Sequence, residues 1–477
     1  MAAVFALAAA CYLLFFYKLA GVGMLGPDEP RYASIGREMA RSGDWVTPRL
    51  EGRPWFEKPP LLYWMTAAAF NAGLSEDLAP RLGVALLSVA FLFFFWRTLR
   101  REFGEPAAFL STAILATSAF WVGFSHVGVT DLPLAVAFSA AMLLSLGWIA
   151  RGEKRLLVPA AALLGVAVLA KGLVPLVLAL PLLWAGRARL RDLFRPAPIA
   201  AFLLVAAPWY AAITARFGPR FVDDFFLKHH LERFTSGALQ HVQPFWFYGP
   251  VLVAALFPWS PLLVLLFRKV LYRDPRRRLL LLWLLFGLLF FSVAANKLPG
   301  YLLPLLPAAA ALIGLSLAES GWAPQLLAAC AALLGLIPAV AAGLPEALLR
   351  GVTHVRLGTA WWPGAVVAPL LAAVVWLLAR SGRRILAFAA VALAVVIGVV
   401  WIETQTFPAL DRSVSARGLW LSISSRRGEV CVAEVNRGWL YGLDYYAVTP
   451  LPACRTTPRP IRIEQPGGAA PWLVKAF

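Results

Sequence analysis

A chain of 477 residues that is 60% hydrophobic and only 14% charged, with a mean hydropathy of +0.72, does not have the composition of a soluble globular protein. A net charge of +19 would suit a nucleic-acid binder. Most basic residues, however, stand in short loops between apolar runs, where they orient helices and meet anionic headgroups, so no nucleic-acid partner is expected. Apolar runs of about 17–25 residues, the length a helix needs to cross a bilayer, recur down the chain. The sequence is that of a polytopic α-helical membrane protein.

Residues 3–22 form the first span, read as an uncleaved helix because no basic region precedes the long apolar stretch. A polar first external loop, 23–73, follows, and its charges collect in Asp28–Tyr63, DEPRYASIGREMARSGDWVTPRLEGRPWFEKPPLLY. Residues 59–73 are apolar but short. Counted as a span, they would place Arg97, Arg100 and Arg101 outside and reverse the charge bias of every later loop. Counted as an interfacial helix, they leave the bias consistent.

The later spans are then 79–97, 106–124, 131–150, 155–170, 172–186, 197–215, 248–267, 279–294, 301–317, 323–343, 361–379 and 384–403. With the first, that makes about thirteen, with the N-terminus in the cytoplasm. Five inside loops, RTLRREFGE, RGEKR, RARLRDLFRP, RKVLYRDPRRR and RSGRR, are basic; Glu319 to Gln325 is not. The membrane part is 1–403. The tail, 404–477, falls outside, and the alternation in GEVCVAEV and PIRIEQ predicts strands of a small α/β or β domain. Cys431 and Cys454 lie in that tail and could pair in an oxidising compartment. Cys11 and Cys330 lie in apolar runs and read as packing residues.

The chemistry gathers on the outside loops. Asp28 stands before Glu29-Pro30, a good helix start. It is either an N-cap or a carboxylate facing a polar cavity. Tyr32, Ile35 and Met39 fall at helical spacing, and Ser42-Gly43 ends the helix. Glu57 and Lys58 precede Pro59-Pro60, which favours extended geometry. Lys58 either snorkels to the headgroups or holds a lipid phosphate. Asp131 begins a span after Ser125–Thr130, and Lys171 interrupts an apolar run at its outer end. FVDDFFLKHHLERF offers His229, His230 and Arg233, and Asn296-Lys297-Leu298-Pro299-Gly300-Tyr301 adds a lysine before a turn. Acids, bases and candidate metal ligands on one side suit an active site. A transporter would instead place its charges and broken helices near the midplane. No Walker P-loop, H-E-x-x-H or G-x-S-x-G is present.

The first-loop segments Asp28-Glu29-Pro30-Arg31-Tyr32-Ala33, Gly43-Asp44-Trp45-Val46-Thr47-Pro48-Arg49-Leu50 and Phe56-Glu57-Lys58-Pro59-Pro60-Leu61 resemble those of bacterial aminoarabinose–lipid A transferases. These, with their protein O-mannosyltransferase relatives, form a membrane glycosyltransferase family of the GT-C fold. The likeness continues in Thr130-Asp131-Leu132-Pro133-Leu134, His230-Leu231-Glu232-Arg233-Phe234 and Lys297-Leu298-Pro299-Gly300-Tyr301-Leu302-Leu303-Pro304, covering residues 1–310. The resemblance implies sugar transfer from a polyprenyl-phosphate (undecaprenyl-phosphate) donor, without a nucleotide, to a lipid A-like or protein acceptor. The expected setting is the periplasmic face of the bacterial inner membrane, with the protein acting as a monomer. By the same resemblance Asp28 and Asp131 are catalytic, and Lys58, Arg233, Tyr301 and Lys297 surround the donor phosphate. Glu29, Arg31 and Tyr32 line the site, and Glu57 with His230 (or His229) would hold a divalent metal, Zn or Mg/Mn. Charge logic agrees: departing phosphate calls for cations, and positive charge on the sugar calls for carboxylates. A phosphate acceptor is already ionised and needs no base. The rival class is a non-enzymatic flippase or transporter of lipid-linked sugar.

Overall fold

The computed structural model describes residues 2–225, 242–268, 272–319, 324–351, 354–356, 362–465, 467 and 469–475. Helix α1 (Ala2–Phe15) leads into the first loop, whose own helices are α2 (Asp28–Ser42) and α3 (Leu61–Asn71). Helix α2 buries Tyr32, Ile35 and Met39, the face the spacing predicts. It ends where Gly43 takes a left-handed φ of 70° and donates its N–H to the Met39 carbonyl. Pro27 occupies the N-cap position without a side-chain cap, so Asp28 is the first helical residue rather than the cap. Between α2 and α3 a two-stranded hairpin pairs β1 (Arg49–Leu50) with β2 (Arg53–Pro54). The apolar helix α3 has 11 residues, too few to span about 30 Å at 1.5 Å per residue.

After the first loop come α4 (Ala79–Phe103), α5 (Glu105–Ala116), α6 (Ala119–Ser125), α7 (Asp131–Arg151) and α8 (Leu157–Lys171). Among the described residues, seven helices are long and apolar enough to cross a membrane, or up to nine if each of two bent pairs is one span. One bent pair is α5 with α6, turned by 59° at Thr117-Ser118. The other is Phe245–Ala255 with Ser260–Phe267, turned by 115° around Pro258. Each segment read as a span contains helix. The span count is nevertheless below thirteen by this measure, because Pro and polar breaks divide segments such as Val174–Ala185 into pieces too short to cross.

Helix α7 and Pro299–Glu319 form the buried centre, and Pro196–Phe217 and Trp362–Arg380 lie at the periphery. The peripheral faces leave Leu204 and Leu370 exposed, as lipid-facing helices do. Helices pack closely where side chains are small: a Cβ at Gly314 would fall 2.2 Å from Ser111 Oγ. Beyond Gln405 the chain forms short helices and a three-stranded sheet. Strand β3 (Val430–Val432) runs parallel to β4 (Ile461–Glu464), which pairs antiparallel with β5 (Trp472–Lys475). Helix Arg437–Ala447 packs back on α2, and Met24 and Ala33 of the first loop join the same apolar cluster. Cys431 and Cys454 are disulfide-bonded.

Candidate active site

The first loop holds its charges in a relay of ion pairs. Arg31 lies one helical turn beyond Asp28 on α2, so the two side chains meet, with Nη2 2.5 Å from the Asp28 carboxylate. Its other arm, Nη1, reaches Glu57 Oε2 at 3.1 Å. Glu57 in turn accepts from Lys58 Nζ at 3.0 Å. Burial would lower the pKa of the Arg31 guanidinium, but the charges of Glu57 and Asp28 hold it above its ordinary value. Arg31 and Glu57 are buried, whereas the Asp28 side chain remains 42% exposed. Burial pushes the phenols of Tyr32 and Tyr63 upwards, so both stay neutral beneath the arginine.

The 44–47 corner ties the loop to the bundle. Asp44 accepts from the N–H groups of Val46 and Thr47 and from Arg216 Nη1 at 2.7 Å. Burial alone would raise its carboxyl, but Arg216 and these N–H donors hold it at about 2. The indole of Trp209 donates to the Val46 carbonyl at 2.9 Å.

The second cluster stands at the end of α7 and α8 that faces this loop. Helix α7 starts at Asp131 and the antiparallel α8 ends at Lys171, so both side chains emerge at the same level. Lys171 Nζ donates to Asp131 Oδ1 at 2.7 Å and lies 4.8 Å from the centre of the Tyr301 ring. Gly300 permits this approach: a Cβ there would sit 2.8 Å from the Phe124 ring and 3.0 Å from Asp131 Oδ1. Glu57, Lys58, Asp131, Lys171 and Tyr301 all line one cavity, whose deeper wall includes Leu134, Phe290 and Pro304. Paired charges thus sit above an apolar throat. Such a cavity suits an anionic head carried on a lipid tail.

Other expected site residues have different places. Glu29 does not line the cavity. It is completely buried, accepts from Arg81 Nε at 2.7 Å and Nη2 at 2.8 Å, and also accepts from the N–H groups of Leu25 and Gly128. Tyr32 packs on Tyr63 with ring centres 5.9 Å apart and is likewise away from the cavity lining. Lys297 points its ammonium at the carbonyls of Ala294 (2.7 Å) and Gln243 (2.9 Å), and its neighbour Asn296 lines the cavity instead. Arg233, His229 and His230 lie outside the described residues. Among the described residues no group of three or more His, Cys, Asp or Glu could hold a metal ion. Glu57 already has Arg31 and Lys58 as partners, so the described residues do not by themselves make a metal site.

Lys171 is the main addition. Its sequence signal was a lone lysine closing an otherwise apolar helix, and an ionisable group at such a place points to function.

A helical membrane bundle with a helical first loop over its cavity is the architecture of GT-C membrane glycosyltransferases. Residues 57–212 match the family model described as dolichyl-phosphate-mannose-protein mannosyltransferase. The chain is 34% identical over 325 residues to the undecaprenyl phosphate-alpha-4-amino-4-deoxy-L-arabinose arabinosyl transferase of Serratia proteamaculans, covering 64% of this chain and 57% of the relative. It is 36% identical over 326 residues to the enzyme of that name from Pseudomonas aeruginosa, covering 64% and 58%. The chain therefore spans somewhat more than half the length of these curated relatives. The crystal structure of ArnT from Cupriavidus metallidurans bound to undecaprenyl phosphate superimposes with a TM-score of 0.75 at 26% identity, covering 94% of this chain and 85% of that one. Over 64% of its length the chain is thus similar to aminoarabinose transferases, and over residues 57–212 to the protein mannosyltransferase family model.

Proposed function

We propose that the protein transfers a sugar from an undecaprenyl-phosphate donor to a lipid A-like acceptor at the periplasmic face of a bacterial inner membrane. The observation that carries the reading is the placement of Lys58 and Lys171 with Asp131 and Tyr301 over an apolar throat. The relatives' names supply the donor class and favour 4-amino-4-deoxy-L-arabinose as the sugar. In this reading the phosphate sits between the two lysines, joined by Arg233, and the prenyl chain leaves through the throat. The acceptor oxygen forms its bond to the anomeric carbon as the bond to the donor phosphate oxygen breaks, and undecaprenyl phosphate departs with that electron pair. Lysine charge stabilises the departing oxygen. Asp28, the exposed end of the relay, faces the acceptor. With a phosphate acceptor it orients rather than deprotonates. The basic inside loops support a cytoplasmic N-terminus, and the Cys431–Cys454 bond supports a periplasmic tail. In this reading the protein acts as a monomer. A divalent ion at Glu57 with His230 or His229 remains part of the proposal, and loss of transfer on chelation, restored by Zn, Mg or Mn, would support it.

The test uses purified protein in lipid with a panel of labelled polyprenyl-phosphate sugars, wild type against Asp28→Asn. Transfer by the wild type that the variant loses supports the reading. Lipid binding equal in both proteins, with no turnover, would move the assignment to a flippase.

A further inference from the structure

The opposite end of α4 carries a second charged cleft. Arg97, Arg100, Arg101 and Glu102 line it with Phe94 and Trp96 of the same helix, and Leu143, Leu144 and Leu156 close its apolar side. Arg97 is 16 residues beyond Arg81, about 24 Å further along the helix, so this cleft is far from the donor cavity.

The acids here are already engaged. Glu105 pairs with Arg100 at 2.7 Å and accepts from the Trp96 indole at 3.0 Å. Glu153 takes Arg101 and, at 2.7 Å, Arg151. Glu102 is buried and sits between Arg151 and Arg276, with Arg151 Nη1 at 2.8 Å. That leaves Arg97. It is exposed and has no ion pair or hydrogen bond to the described residues. Spacings of three and four residues put it on the same side of α4 as Arg100 and Arg101. The 63%-exposed ring of Phe93 lies one turn before it. A surplus cation, a neighbouring tryptophan and apolar walls together match the headgroup phosphate and glycerol region of an anionic lipid. Positive charge serving only to orient the helix would need no cleft, and its arginines would project into water.

We propose that this cleft binds the headgroup phosphate of an anionic phospholipid, with Arg97 as its principal ligand. The lipid is neither donor nor acceptor, and its site does not depend on the transfer reaction.

The test is native mass spectrometry of the purified full chain with phosphatidylglycerol or phosphatidylcholine, for wild type, Arg97→Gln, Arg97→Glu and a charge-matched tail control, Arg427→Gln. Phosphatidylglycerol should be retained over phosphatidylcholine by wild type and by the control. Its affinity should fall about fivefold in Arg97→Gln, where one attraction between arginine and phosphate is removed. It should fall about 25-fold in Arg97→Glu, where that attraction becomes a repulsion of similar size. Equal retention by all four proteins would overturn the proposal. So would displacement of phosphatidylglycerol by inorganic phosphate at an equivalent concentration, which would assign a free anion rather than a lipid.

Discussion

Lys171 donates to Asp131 at 2.7 Å across 40 residues of chain. Neither charge is balanced by a sequence neighbour, so α7 and α8 must pack antiparallel before either is paired. In the proposed reaction Lys171 faces the donor phosphate and Asp131 fixes its position. Lys171→Ala is expected to lower kcat/KM by about 100- to 1000-fold, the size of a lost charge-stabilising donor. Lys171→Arg should recover part of the loss. Steady-state kinetics with the purified enzyme check this, and an unchanged kcat/KM in Lys171→Ala would remove Lys171 from the transfer step.

Glu29 and Asp28 should respond to substitution in opposite ways. Glu29→Ala strands the Arg81 guanidinium in the interior, at a cost of about 3–5 kcal/mol. It also frees the Leu25 and Gly128 N–H groups that hold the two external loops together. Thermal unfolding in detergent should show a large loss of stability. Asp28→Asn, at a partly exposed position, should unfold like the wild type even though transfer is lost. Equal stability of Glu29→Ala and wild type would contradict the buried pairing.

The tail should carry a pH dependence centred on Asp444. Burial raises its carboxyl to about 6, against the pull of the Leu451 N–H and with help from Glu51. The unfolded chain titrates near 3.9. Between about pH 4 and 6 the folded state therefore retains a proton that the unfolded state has lost, and stability falls as pH rises through that window. Asp444→Asn keeps an acceptor for Leu451 and removes the penalty. It should stabilise the protein by about 1–2 kcal/mol above pH 6, after discounting for partial exposure, and by nothing below pH 4. Unfolding midpoints measured across this range decide it, and a pH-independent difference between the two proteins would refute the assignment.

Thiol labelling reports on the tail disulfide. Of the four cysteines, Cys11 and Cys330 are free and Cys431 and Cys454 are bonded. Protein isolated under non-reducing conditions and then denatured should label at two thiols, rising to four after reduction. The bond closes a loop across a sequence separation of 23, so its removal should cost roughly 3 kcal/mol by the loop-entropy relation. Four reactive thiols before reduction would argue against a tail in an oxidising compartment.

Much of the architecture was legible in the chain because membrane helices announce themselves locally. Apolar runs, basic loops and the Ser42-Gly43 stop depend on neighbours in sequence, and so does the face of α2 that buries Tyr32, Ile35 and Met39. The external-loop motifs likewise marked Asp28, Glu57 and Lys58 in the first loop and Asp131 at the start of a later span as candidates. The number of spans was less legible, since apolar segments such as Val174–Ala185, which composition alone reads as continuous, divide into helices too short to cross.

The sequence by itself determined the membrane class, the helical first loop and the residue types available to the site. Only the tertiary structure decided which charge meets which. Adjacent residues on a helix differ by about 100° in direction, so Glu29 turns inward to Arg81 while Asp28 stays half-exposed and pairs with the buried Arg31. Lys297 is drawn to two backbone carbonyls, and Lys171, from another helix, takes the place beside Asp131. Helix formation is settled by contacts a few residues apart, whereas a buried charge must find its counterpart wherever packing puts one.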